Sequence, residues 1–138
     1  MNTVIMGCGR VGASLAARLD HEHHDIVVID LNSNQFRRLP SDFGGRTLVG
    51  SGTDHRILLE AGIEQAHAFL ALAHGDNRNV LASQIAKHLF GVETVVTRLY
   101  DPFRAELFQR LGLRTFSPTD IGADLAYEAL SDRALTGE

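Results

Sequence analysis

Val4-Ile5-Met6-Gly7-Cys8-Gly9-Arg10-Val11-Gly12 decides how the rest of this chain is read. Three apolar residues lead into a glycine turn, and the turn leads into a helix. The helix is marked by Val11, Leu15 and Leu19, four apart on one face, with Ala13, Ala16 and Ala17 between them. The turn is G-x-G-x-x-G, which is weak alone because glycines are common. Its setting strengthens it: a strand before, a helix after, and an acidic residue, Asp30, closing the next apolar run about 20 residues on, as a dinucleotide fold requires. Gly7 permits a tight turn off the strand, Gly9 leaves room for a pyrophosphate against the backbone, and Gly12 lets the helix lie close on the sheet. The free N–H groups and partial positive charge of the helix N-terminus suit phosphate. A carboxylate at position 30 accepts hydrogen bonds from a ribose diol and repels a 2′-phosphate, so NADP is disfavoured.

Outward from this stretch, short apolar runs alternate with helical patterns, the mark of β-α-β units around a parallel sheet. Strands are expected at Thr3–Met6, Asp25–Asp30, Arg46–Val49, Ala68–Ala73, Thr94–Arg98 and Arg114–Phe116. The first helix is expected from Arg10 to Asp20. A short helix after the second strand has Asn32 as cap, Phe36 and Leu39 facing inward and Pro40 as its stop. The next carries Ile57, Leu58 and Ala61 and ends at Gly62. A long helix over 77–90 shows a stripe of Leu81, Ile85 and Leu89 beside Ala82 and Ala86. Asp101 and Pro102 open another, lined by Phe103, Leu107 and Leu111 as core or subunit interface. A last helix has Ile121, Leu125 and Ala129 on one side, and residues 133–138 read as a frayed tail. The expected architecture is an α/β, Rossmann-like, doubly wound parallel sheet of six strands in the order 3-2-1-4-5-6. Its ligand belongs outside the carboxyl ends of strands one and four.

A chain of 138 residues is one domain, here 1–132, with no room for a separate substrate domain. Apolar residues make up 44% and charged residues 22%, ordinary values for a soluble globular protein. A formal net charge of −4 without a long basic run argues against nucleic-acid binding. The one cysteine, Cys8, allows no intrachain disulfide and reads as a small buried side chain rather than a redox thiol. Polar residues interrupt every apolar stretch before membrane-spanning length, so no direct membrane insertion is expected. His21, His23 and His24 lack strong ligand spacing and read as a solvated turn, with no metal site.

The polar residues gather past the strand ends: Gly7–Gly12, Asp30, Gly50–Asp54, His74–Asn79 and Arg98. Five converging loops carry more weight than any one motif. The cofactor-binding set drawn from them is Gly7, Cys8, Gly9, Arg10, Val11, Gly12, Asp30, Leu31, Gly50, Ser51, Gly52, Thr53, Ala73, His74, Asp76, Asn79 and Arg98, with no catalytic residue. Each has a plainer reading beside it. Arg10 and Arg98 could pair with carboxylates, Asp76 could cap its helix, and His74 could face water.

In these pieces the chain resembles the N-terminal nucleotide-binding domain of the RCK, or TrkA/KtrA, family. The likeness rests on Gly7-Cys8-Gly9-Arg10-Val11-Gly12, Val28-Ile29-Asp30, Gly50-Ser51-Gly52-Thr53-Asp54, Ala71-Leu72 with Asp76 and Asn79, Thr97-Arg98 leading to Asp101-Pro102, and Ser117-Pro118. The resemblance implies a regulatory module that binds NAD(H), ATP, ADP or AMP and gates a membrane-embedded potassium transporter or channel. It further implies a homo-oligomer, cytoplasmic and peripheral to the inner face of the plasma membrane through its partner. In it Gly7, Gly9 and Gly12 would hold phosphates, with Arg10 reaching terminal phosphate charge. Asp30 would bind the ribose, Ser51, Gly52 and Thr53 would line the adenine side, Asp76 and Asn79 would close the pocket, and Arg98 would neutralise phosphate. Ser51 stands where the family usually has an acidic residue. Many members continue into a C-terminal regulatory domain that this chain lacks, so it is expected to be a stand-alone module or the first piece of a longer protein.

Two other functions fit the residues. A small NAD-dependent oxidoreductase needs a proton donor opposite the nicotinamide, and only His74 and Tyr100 are placed for it. A nucleotide-free assembly scaffold would use the helical apolar stripes alone. The lack of a nucleophile with an ordered base favours a regulator without chemistry of its own.

Overall fold

The computed structural model describes the backbone of residues 1–136 and the side-chain surroundings of residues 1–131. Strands β1 (Asn2–Met6), β2 (Asp25–Asp30), β3 (Arg46–Val49), β4 (Ala68–Ala71), β5 (Thr94–Arg98) and β6 (Arg114–Phe116) form one all-parallel sheet. Their order is β3-β2-β1-β4-β5-β6, the order expected. Helices α1 (Arg10–His21), α2 (His55–Glu60), α3 (Asp76–Gln84), α4 (Pro102–Arg110) and α5 (Pro118–Thr136) connect and extend it. The two parts of the expected tail divide here: α5 runs on through Thr136, while 137 and 138 lie outside the described residues.

Each face of the sheet carries its own core, because successive side chains of a strand point to opposite sides. Val4, Met6, Ile29, Phe69, Ala71 and Val95 pack with Leu58 of α2 and Ala82 of α3. Ile5, Ile26, Val28 and Leu72 pack with Ala13 and Ala16 of α1. Phe36 and Leu39 close this second core from a 3-10 turn, Ser33–Arg38, which Asn32 caps by accepting from the Asn34 N–H. Small residues on α1 bring it close to β1, and that closeness shapes the crevice described below.

Two elements depart from expectation, β4 and the long helix, and in two more, α4 and α5, the structure decides what spacing left open. β4 stops at Ala71 rather than Ala73, because the Asn79 side chain takes over both polar groups of Ala73. The long helix is α3 followed by a π-helical turn, Ile85–Leu89, and its inward face is not the leucine stripe. Asn79, Ala82, Ser83 and Ala86 are buried, while Leu81 and Leu89 are exposed. The buried hydrogen bonds of Asn79 and a Thr97–Ser83 hydroxyl bond of 2.7 Å set the helix's rotation, so a polar residue overrides the apolar stripe. In α4 the residue packed on the core is Phe108, and Phe103, 87% exposed, Leu107 and Leu111 face outward. β6 is a three-residue edge strand that gives α4 little surface to cover. Among the described residues, Ile121 and Leu125 of α5 are likewise exposed, so its stripe finds no partner within the chain.

Candidate functional site

The order of strands reverses between β1 and β4, so the loops leaving their carboxyl ends part in opposite directions and open a crevice. It encloses about 670 Å³ when its open, solvent-filled mouth is included. The first wall is the β1–α1 turn. Gly7 adopts φ +105°, and a Cβ there would sit 2.7 Å from the Ala73 nitrogen, so only glycine fits the turn against β4. A Cβ on Gly12 would lie 1.9 Å from the Gly7 carbonyl oxygen, which locks α1 onto the end of β1. Gly9 differs: a Cβ there would meet nothing nearer than His74 Nε2 at 3.8 Å, across open space. Gly7 and Gly12 are thus required by close packing, and Gly9 borders open space.

Asp30 ends β2 on the opposite wall. Its Oδ2 accepts from the Cys8 N–H and its Oδ1 from the Asn32 N–H, both at 2.8 Å. These bonds clip the glycine turn to β2 and hold the carboxylate at the crevice rather than in solvent. Leu31, Gly50, Ser51 and Gly52 continue this wall. The Ser51 and Thr53 hydroxyls bond to each other at 2.7 Å, and the Thr53 N–H donates to Ser51 Oγ, which stiffens the loop. The third wall is Leu72 to Gly75 at the end of β4.

Two helices begin at this crevice. Gly9 precedes α1 and Gly75 precedes α3, and neither start has a side-chain cap. Away from the crevice, α2 is capped by Asp54 and α4 by Asp101, each carboxylate accepting a backbone N–H two residues on. First-turn N–H groups without a side-chain acceptor, together with the helix dipole, form an anion site.

Of the expected residues, the crevice brings together Gly7, Gly9, Asp30, Leu31, Gly50, Ser51, Gly52, Ala73 and His74. The others stand just outside its lining. Cys8 is fully buried beneath the turn, where burial above all, then the Asp30 charge, pushes its thiol up to about 11. Val11 packs into the second core, Gly12 supports the turn, and Thr53 braces Ser51. Arg10 is exposed at the start of α1. Asp76 turns to the next loop, where it accepts from the Tyr100 N–H at 3.0 Å and from the Asp101 N–H at 3.3 Å. Asn79 is a buried tie: it accepts from the Ala73 N–H and donates to the carbonyls of Ala73 and Arg98. Arg98, 8% exposed, donates to the Leu72 carbonyl and the Tyr100 hydroxyl, with its guanidinium over the Tyr100 ring.

Gln35 and Arg78 line the crevice and were missed. Gln35 lies within the short helix that follows β2, in the turn Ser33–Arg38. Arg78 falls within the polar run 74–79, but spacing alone does not say which side of α3 faces the crevice. Among the described residues, no hydrogen bond orients His74, and the Tyr100 hydroxyl is held by Arg98 outside the lining.

Fold and crevice together define a Rossmann-type domain with its site at the topological switch point. The chain belongs to the TrkA-N family: the family described as TrkA-N domain matches residues 3–118. It is 52% identical over 124 residues to the Trk system potassium uptake protein TrkA of Streptomyces coelicolor, covering 90% of this chain and 56% of that protein. The chain thus spans about half the length of that relative. Two solved structures share the fold. The TrkA-N domain of the inner membrane protein ybaL from Escherichia coli aligns with TM-score 0.83 at 18% identity, covering 94% of this chain and 96% of that one. GsuK bound to ADP aligns with TM-score 0.80 at 22% identity, covering 96% of this chain and 34% of that one.

Proposed function

We propose that this domain binds an adenine nucleotide in the switch-point crevice and transmits its presence to a membrane-embedded potassium transporter or channel. It acts as a regulator and catalyses nothing itself. The observation that carries this reading is the pairing of two helix starts without side-chain caps with the Asp30 carboxylate across from them. Phosphate belongs at the helix starts and the ribose diol at Asp30. NADP is excluded, because its 2′-phosphate would meet that carboxylate. The potassium-uptake relative and the ADP-bound structure of the same fold support the reading.

Regulation requires that the ligand bind two conformations unequally. A route out of the crevice runs through α3. Its first turn carries Asp76, which holds the loop that starts α4, and α4 presents the apolar face of Phe103, Leu107 and Leu111. We assign that face and the exposed stripe of α5 to self-association into a homo-oligomer. No helix among the described residues is long and apolar enough to cross a membrane, and the domain works from the cytoplasmic side through its partner.

Thermal unfolding with adenine nucleotides tests the central claim. At about 100 times its dissociation constant a ligand raises stability by roughly 2.7 kcal/mol. ADP, ATP, AMP or NADH should shift the transition and NADP⁺ should not. Silence from every adenine nucleotide rejects the proposal.

A further inference from the structure

We infer that Arg78 grips the terminal phosphate of the ligand, so that the crevice selects nucleoside di- and triphosphates over the monophosphate and over NAD⁺. This rests on the adenine-nucleotide reading above and goes further by naming the ligand class. Among the residues lining the crevice, Arg78 is the one permanent cation. Its charge has no carboxylate within ion-pair distance among the described residues, so it is available to a ligand anion. Its stem lies along Gly75: a Cβ on that glycine would meet Arg78 Cβ, Cγ and Cδ at 3.8 to 3.9 Å. His74, in the loop just before α3, puts its Nε2 3.8 Å from where a Cβ on Gly9 would sit. The wall that carries Arg78 is therefore the wall that faces the phosphate cradle.

Ligand chemistry decides between the nucleotides. A phosphate resting on the α1 start is the first one after the ribose, and ADP or ATP places further phosphate beyond it. That terminal group carries the greatest charge density and takes two N–H bonds from a guanidinium. AMP has nothing to offer there. In NAD⁺ both phosphates lie within a pyrophosphate bridge between two riboses, so neither is terminal, and the next groups are a ribose and a cationic ring that Arg78 repels. Arg10 and Arg98, the two cations expected for this role, lie outside the lining.

Calorimetric titration of the full chain with ADP, AMP and NAD⁺ tests the assignment, on the wild type and on Arg78→Gln and Arg78→Lys. Arg78 is exposed and makes no hydrogen bond among the described residues, so both variants should melt as the wild type does. The wild type should bind ADP at least about 10-fold more tightly than AMP or NAD⁺, the scale of one charged hydrogen-bonding pair. Arg78→Gln should lose that margin for ADP and leave AMP unchanged, and Arg78→Lys should recover part of it. Equal ADP affinity in wild type and Arg78→Gln overturns the inference while AMP binding keeps the underlying reading. Absence of binding by all three ligands overturns both.

Discussion

A methyl group added at Gly9 and one added at Gly12 meet different surroundings. At Gly12 it lands on the Gly7 carbonyl, a backbone atom that cannot move without lifting α1 from β1. Gly12→Ala should therefore lose at least about 2 kcal/mol in urea unfolding. At Gly9 it enters open crevice, and the one structural penalty is the preference for glycine over alanine at a helix start, about 1 kcal/mol or less. Gly9→Ala should fold, yet bind ADP roughly 10-fold more weakly, because the methyl occupies the phosphate cradle. A Gly9→Ala variant with wild-type affinity would move the phosphate elsewhere. Cys8 illustrates burial in the same turn. With its thiol raised from 9.0 to about 11, the folded chain favours the neutral form. The stability this contributes is present below pH 9 and lost as pH climbs towards 11. At pH 8 the native thiol should resist iodoacetamide and react once urea unfolds the chain.

Elements around the crevice are joined by side chains rather than by sheet ladder alone. Asn79 ties α3 to the ends of β4 and β5, and Asp76 ties it to the start of α4. Asp76→Ala should cost about 1–3 kcal/mol, since it strands the Tyr100 and Asp101 N–H groups. Hydrogen exchange should report the change at the start of α4, with ADP affinity affected less than in Gly9→Ala. An unchanged exchange rate at α4 would break the proposed route from crevice to helix. The departures from the sequence reading concentrate in these elements. Leu81 and Leu89 look like core by spacing, but Asn79 must face the sheet to meet three hydrogen bonds, and the helix rotates accordingly.

At the scale of the molecule, both faces of the sheet are covered, and the apolar residues left exposed are those of α4 and α5, which flank the edge strand β6 in sequence. α1, α2 and the 3-10 turn cover their faces, whereas Phe103, Leu107, Leu125 and Leu130 remain outside any core of the single chain. These exposed apolar side chains are the ones assigned above to self-association. Sedimentation should find the chain self-associated, and Phe103→Glu combined with Leu125→Glu should yield a folded monomer that still binds nucleotide. A wild-type monomer at high concentration would reject the assignment of this face.

Most of the fold was legible in the residues because it rests on local rules. A glycine spacing between a strand and a helix, an acidic residue at the end of the next strand and the beat of apolar runs imply six parallel strands and their order. The glycine turn, Asp30, Gly50–Gly52 and His74 were equally legible, since each sits at a strand end that the order alone brings to one place. Which side chain faces the crevice was decided only in three dimensions. Rotation of a helix about its axis depends on what it meets across the sheet, and here Asn79, not the leucines, set it. That rotation placed Arg78 in the crevice and turned Asp76 towards α4, two outcomes that spacing along the chain does not contain.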